Sequence, residues 1–176
     1  MPDSIWDSTL AQFRDRLAGM ESVPAGVSTA AVSAAFALSL LEKVLAIASK
    51  RKKFSGDRKV AESLIVQARE QALYLSRLAD RDVIAYRARS HEMIAVPIDV
   101  ARAAIHGLAL CNEAKPLLDA LLAPDLETAA ALLTAAVKSA LLTVDFNLQQ
   151  LPEDDPYRAE ATAEFTPLWQ RFRADR

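Results

Sequence analysis

The chain of 176 residues carries 21 Lys and Arg against 23 Asp and Glu, with four glycines and eight prolines. That length suits one domain, 1–176, with a sizeable core, and nothing in the near-neutral charge suggests general nucleic-acid affinity. Cys111 is the single cysteine, which excludes an internal disulfide and suits a reducing, cytoplasmic location.

Abundant Ala and Leu, scarce glycine, and prolines set between periodic segments predict an all-α protein. The amino terminus, Met1-Pro2-Asp3-Ser4, is polar and acidic, unlike a signal peptide. A first helix is predicted from about Ser4 to Leu17, closing at Gly19, with Ile5, Leu10, Phe13 and Leu17 inward. The second starts at Ser28 or Thr29 and ends in Lys50-Arg51-Lys52-Lys53, a basic end that complements the helix dipole. Its stretch from Thr29 to Ser49 is apolar nearly all round, but Glu42 and Lys43 interrupt it. Charges there are costly in lipid, whereas a helix apolar on most faces is common at a bundle centre, so no membrane span is expected. A third, long helix runs from about Asp57 to Ser90. Pro97 opens the fourth, whose course Pro116 disturbs. The fifth runs from just after Pro124 to about Gln150, and a more polar last helix from Pro156 towards Arg176.

The apolar seams predict the packing. On the third helix Ala61, Ile65, Ala68, Ala72, Leu75 and Ala79 alternate at spacings of four and three, and the same rhythm lands next on Asp82 and Tyr86. The fifth repeats the pattern through Leu126, Ala130, Leu133, Val137, Ala140 and Val144, and arrives at Asn147. The second carries Ala30, Ala34, Ala37, Leu41, Val44 and Ala48. Small residues let helices approach closely. The expected architecture is an antiparallel bundle of about six helices with one long central pair, and surplus apolar surface on the second helix favours a homodimer.

Asp82 is the leading candidate for chemistry. A carboxylate on an apolar seam must be paired, protonated or functional, and its neighbours one turn away, Leu78, Ala79, Ala85 and Tyr86, offer no cation. Asp80 has Arg77 one turn back and is expected to form a surface ion pair. Asp125, after Pro124, has the setting of an N-cap. Asn147 suits either ligand orientation or a backbone bond between helices. The turn Val23-Pro24-Ala25-Gly26-Val27-Ser28 combines a chain stop, small residues and a hydroxyl cap, exposing helix amides where anions or polarised oxygens bind well. Two distant histidines, His91 and His106, and one cysteine give no metal-ligand spacing, so no metal is expected. No nucleophile elbow, P-loop or dinucleotide fingerprint is present.

Taken in order, these pieces resemble the folate cyclodeaminase/cyclohydrolase family over nearly the whole chain. Pro24-Ala25-Gly26-Val27-Ser28 falls on the family's Pro-Gly-Gly-Gly-Ser, and Arg51-Lys52-Lys53-Phe54 on its basic run with a closing aromatic. Asp82-Val83-Ile84-Ala85-Tyr86 matches Asp-x-x-Ala-Phe, Val96-Pro97-Ile98 matches Val-Pro-Leu, and Pro124-Asp125-Leu126 falls on a Ser-Asp element. Ala140 to Leu148 covers the closing Leu-x-x-Asn-Leu stretch, with Asn147 kept. Between Tyr86 and Val96 the connection is shorter than the family's lysine- and acid-rich excursion.

The resemblance implies an all-helical homodimer that hydrolyses 5,10-methenyltetrahydrofolate, or cyclises 5-formiminotetrahydrofolate with release of ammonia. No cofactor beyond the folate substrate is implied, and no nucleic-acid or membrane partner. By position, Asp82 would be the acid/base and Asp125 a second catalytic polar contact. Pro24, Gly26 and Ser28 would hold the pterin or the polarised oxygen, with Tyr86 and Asn147 as further contacts. Lys52 and Lys53 would attract the glutamate tail. The alternative is a non-catalytic relative, a helical dimer that binds another small ligand or a partner protein.

Overall fold

The structure, a computed structural model, describes residues 4–174. The expectations for Met1–Asp3 and for the last two residues of the sixth helix lie outside the described residues. Six α-helices are present: α1 (Leu10–Leu17), α2 (Gly26–Lys50), α3 (Arg58–Ala88), α4 (Glu92–Ala114), α5 (Ala123–Gln150) and α6 (Pro156–Ala174). There is no strand among the described residues.

Helices α2 to α5 form an antiparallel four-helix core in which α2 packs on α3 and α5, and α4 completes the square. The antiparallel sense is fixed at both ends of the first pair. Ser28 near the start of α2 meets Asp82 near the end of α3, while Arg58 at the start of α3 donates to the Ser49 carbonyl at the end of α2. The centre is filled by Leu38, Leu41 and Leu45 of α2, Leu75 and Leu78 of α3, Leu110 of α4, and Leu133 and Leu141 of α5. Every member of the predicted α2 seam is buried, and on α3 and α5 only Ile65 and Ala130 are less than fully so. Gly107 lets α4 pack tightly against α5 and α2: an added Cβ would stand 2.9 Å from Leu133 Cδ2 and 3.1 Å from Leu38 Cδ2. Helix α6 lies across α4 and α5, setting Ala161 against Ile94, Ile98, Val144 and Leu148. By length and composition alone α2, α5 and the segment Glu92–Leu117 could cross a membrane; here they pack around a common core.

Several expectations are corrected. The first helix is split: a short 3-10 turn, Ile5–Asp7, precedes α1, and only Ile5 and Phe13 are buried while Leu10 and Leu17 are exposed. A Thr9–Gln12 capping box starts α1 after the break, so no helical periodicity runs across it. Asp80 does not pair with Arg77. It accepts from Ser4 Oγ at 2.7 Å and Ile5 N at 2.8 Å, fastening the amino-terminal turn to α3. Pro97 does not open α4, which begins five residues earlier at Glu92 and accommodates the proline inside the helix.

A candidate active site where four helix ends meet

Alternating helix directions bring the start of α2, the end of α3, the start of α4 and the end of α5 to one end of the bundle. Between them lies a cavity of about 660 Å³, lined by Val23 and Gly26, Asp82 and Tyr86, Arg89, His91 and Met93, and Thr143, Phe146, Asn147 and Gln150. That volume is in the usual range for a small-molecule site.

Asp82 is half-buried, and both its side-chain hydrogen bonds among the described residues come from Ser28. The Ser28 amide donates to Oδ2 at 3.0 Å and the hydroxyl donates to the same oxygen at 2.5 Å. Ser28 is therefore not the N-cap of α2. It is the third helical residue, fully buried, and the carboxylate of another helix sits against the positive end of α2. Burial raises the Asp82 pKa, and the two Ser28 bonds oppose the rise without cancelling it. Oδ1 has no hydrogen-bond partner among the described residues, so it is the oxygen available to a ligand. The amides of Gly26 and Val27 likewise have no acceptor among the described residues.

The turn before α2 needs no glycine conformation. Among the described residues only Arg89 has positive φ, so Ala25 and Val27 fit where the family pattern has glycines, and Val27 uses its side chain in the core. Gly26 lines the cavity, and a Cβ there would meet nothing within 4 Å, so the turn leaves open space at this position. Pro24 is buried in the turn and does not line the cavity.

Asn147 donates from Nδ2 to the Met93 carbonyl at 2.7 Å. The reason lies four residues on. Pro97 has no N–H, so the carbonyl that would have accepted it inside α4 is left without a helical donor, and α5 supplies one. The backbone role is thus filled, while Oδ1 has no partner among the described residues and Asn147 lines the cavity. Tyr86 also lines it, with the Arg89 guanidinium 5.4 Å from its ring centroid.

Three expected site residues lie elsewhere. Asp125 is exposed in the first turn of α5, whose N-cap is Leu122, so it neither caps the helix nor reaches the cavity in the same chain. It stands 22 residues from Asn147 on one helix, about 33 Å away. Lys52 and Lys53 are exposed beyond the far end of α2, where Arg51 pairs with Asp119. Arg89, His91, Thr143, Phe146 and Gln150 were missed as cavity residues. Arg89 caps α3 in the left-handed conformation, which carries no signal in an arginine, and the others follow from where helices end.

No cluster of three or more His, Cys, Asp or Glu side chains that could hold a metal occurs among the described residues. Burial pushes the Cys111 thiol up to about 11, so it offers no ready thiolate. What the cavity provides is a raised-pKa carboxyl, free helix amides, an imidazole, a guanidinium and an amide oxygen: a set suited to proton transfer on a polar ligand.

The sequence profile of formiminotransferase-cyclodeaminase matches residues 9–93 and 87–166, the two stretches overlapping at the short α3–α4 connection. No curated protein matches the chain. Among solved structures the fold is similar to that of formiminotetrahydrofolate cyclodeaminase from Thermotoga maritima, with a TM-score of 0.86 and 23% identity, covering 97% of this chain and 92% of that one. Fold and sequence profile agree: the chain belongs to the formiminotransferase-cyclodeaminase family.

Proposed function

We propose that this protein acts on a one-carbon derivative of tetrahydrofolate, hydrolysing the 5,10-methenyl form or cyclising the 5-formimino form with loss of ammonia. The observation that carries the reading is Asp82, fixed through one oxygen on Ser28 while its other oxygen is open to a roomy cavity, in a chain of this family. In hydrolysis the carboxylate takes a proton from the water that attacks the bridging carbon. Free amides at Gly26 and Val27 suit the oxygen that develops there. Arg89, on the cavity rim, replaces Lys52 and Lys53 as the cation for a glutamate tail. The reaction needs no further cofactor.

Purified protein should accelerate the loss of methenyl absorbance above the buffer rate. At a hundred-fold excess over Kd, a reduced folate should raise Tm by about 5–10 °C. Absence of both responses would reject the proposal, and a shift without turnover would favour the ligand-binding alternative.

The reading includes a cytoplasmic homodimer. On the outer face of α5, Thr128, Leu132, Ala135, Ser139, Leu142 and Phe146 repeat at four and three without a charge, and Leu142 and Phe146 are 50% and 62% exposed. Leu142→Glu should convert the dimer to a monomer by light scattering. A wild-type protein running at 19.2 kDa would remove the dimer from the proposal.

A further inference from the structure

His91, at the entry to α4, has no role in the function described so far. Its Nε2 lies 3.2 Å from Asp155 Oδ2, its ring stacks on Tyr157 with centroids 4.5 Å apart, and it lines the same cavity as Asp82. Asp155 is itself held firmly. Its side chain is 15% exposed, and its other oxygen, Oδ1, accepts the Tyr157 amide at 2.9 Å in the first turn of α6. A carboxylate anchored on a helix start, an imidazole bonded to it and an aromatic ring against the imidazole fix both the plane and the tautomer. With Nε2–H given to Asp155, Nδ1 of the neutral ring carries the lone pair.

Both candidate reactions require two proton movements on different atoms. In hydrolysis, attacking water loses a proton as the C–O bond forms, and N5 gains one as the C–N5 bond breaks and the electron pair returns to nitrogen. In cyclisation, N10 loses a proton as it bonds to the formimino carbon, and the departing amino group gains one to leave as ammonia. A single carboxyl serves both only where the two atoms face the same oxygen.

Resting on the folate reading of the cavity, we propose that His91 is its second proton-transfer group. Asp82 receives the proton of the nucleophile, His91 in its protonated form delivers one to the departing nitrogen, and Asp155 is the positioning residue that holds the ring. In hydrolysis the imidazole then recovers the remaining hydroxyl proton as the formyl C=O forms, and the proton on Asp82 passes to solvent.

The test compares steady-state turnover of wild type, His91→Ala and Asp155→Asn on whichever folate the wild type uses. His91→Ala should lose about 10²-fold in kcat with KM changed less than about three-fold. Added imidazole should restore part of the loss, because the ring it replaces is 55% exposed. Asp155→Asn keeps an acceptor for the α6 amide and so keeps the fold, yet should lower kcat about ten-fold with KM held. An active wild type whose His91→Ala variant keeps its kcat overturns the role of His91 alone. So does a loss that imidazole fails to restore. A wild type that turns over neither folate overturns the reading of the cavity and this role with it.

Discussion

Replacing Asp82 with Asn is expected to reduce turnover by about 10²–10⁴-fold while making the protein more heat-resistant at neutral pH. Both effects have one cause. Burial raises the carboxyl's pKa above its unfolded value, so the folded state holds the proton more tightly. That contribution to stability is fully present below the ordinary carboxylate range and is lost as pH rises through the folded pKa. At neutral pH the ionised group is a net burden, only partly offset by the two Ser28 bonds. Asparagine removes the charge and keeps an oxygen for Ser28 to donate to. The Tm of Asp82→Asn should therefore exceed that of wild type near pH 7.5, the gain shrinking towards zero as pH falls through the ordinary carboxylate range. Melts from pH 4 to 8 alongside turnover assays would check it. A variant less stable than wild type at pH 7.5 would mean that the charged carboxylate stabilises the bundle, against the desolvation argument.

The second large effect concerns stability. Asn147→Leu leaves the Met93 carbonyl with no donor from its own helix, because Pro97 cannot provide one, and none from α5. The expected cost is about 1–3 kcal/mol, a fall of about 3–10 °C in Tm for a chain this long. Pro97→Ala restores the missing N–H, so in that background Asn147→Leu should cost at least about 1 kcal/mol less. Denaturant melts of the four proteins in the cycle measure the coupling directly. Additive costs would show that the two residues do not share the carbonyl.

That pair also illustrates what could and could not be read in advance. By sequence alone Pro97 suits a helix start, the usual place for a residue without an N–H. Tertiary structure overrode that preference by supplying the donor from a helix fifty residues away, and the same rescue explains why an amide rather than an apolar residue ends the α5 seam. Alternation of four and three placed the buried faces of α2, α3 and α5 well, because burial of a helix stripe is a local, periodic demand. It failed at Leu10 and Leu17, where a capping box restarts the helix and resets its phase. Asp82 stood out as a charge on an apolar rhythm. Its partner was hidden, since Ser28 looked like a cap for its own helix. Motif order sets Asp125, Lys52 and Lys53 beside Asp82, yet order along a chain says nothing about which end of a bundle a residue occupies.

Composition, seams and motifs by themselves determined an all-helical protein and its family likeness, and singled out a carboxyl that lines its cavity. Those properties follow from periodicity and residue chemistry, which act over a few turns of helix. Only the tertiary structure decided that Ser28 grips Asp82, that Asn147 completes a proline-broken helix, and that Arg89, His91 and Asp155 share that end of the bundle. Each depends on where long rigid helices stop and which neighbours they meet there, a matter of packing between segments far apart in the chain.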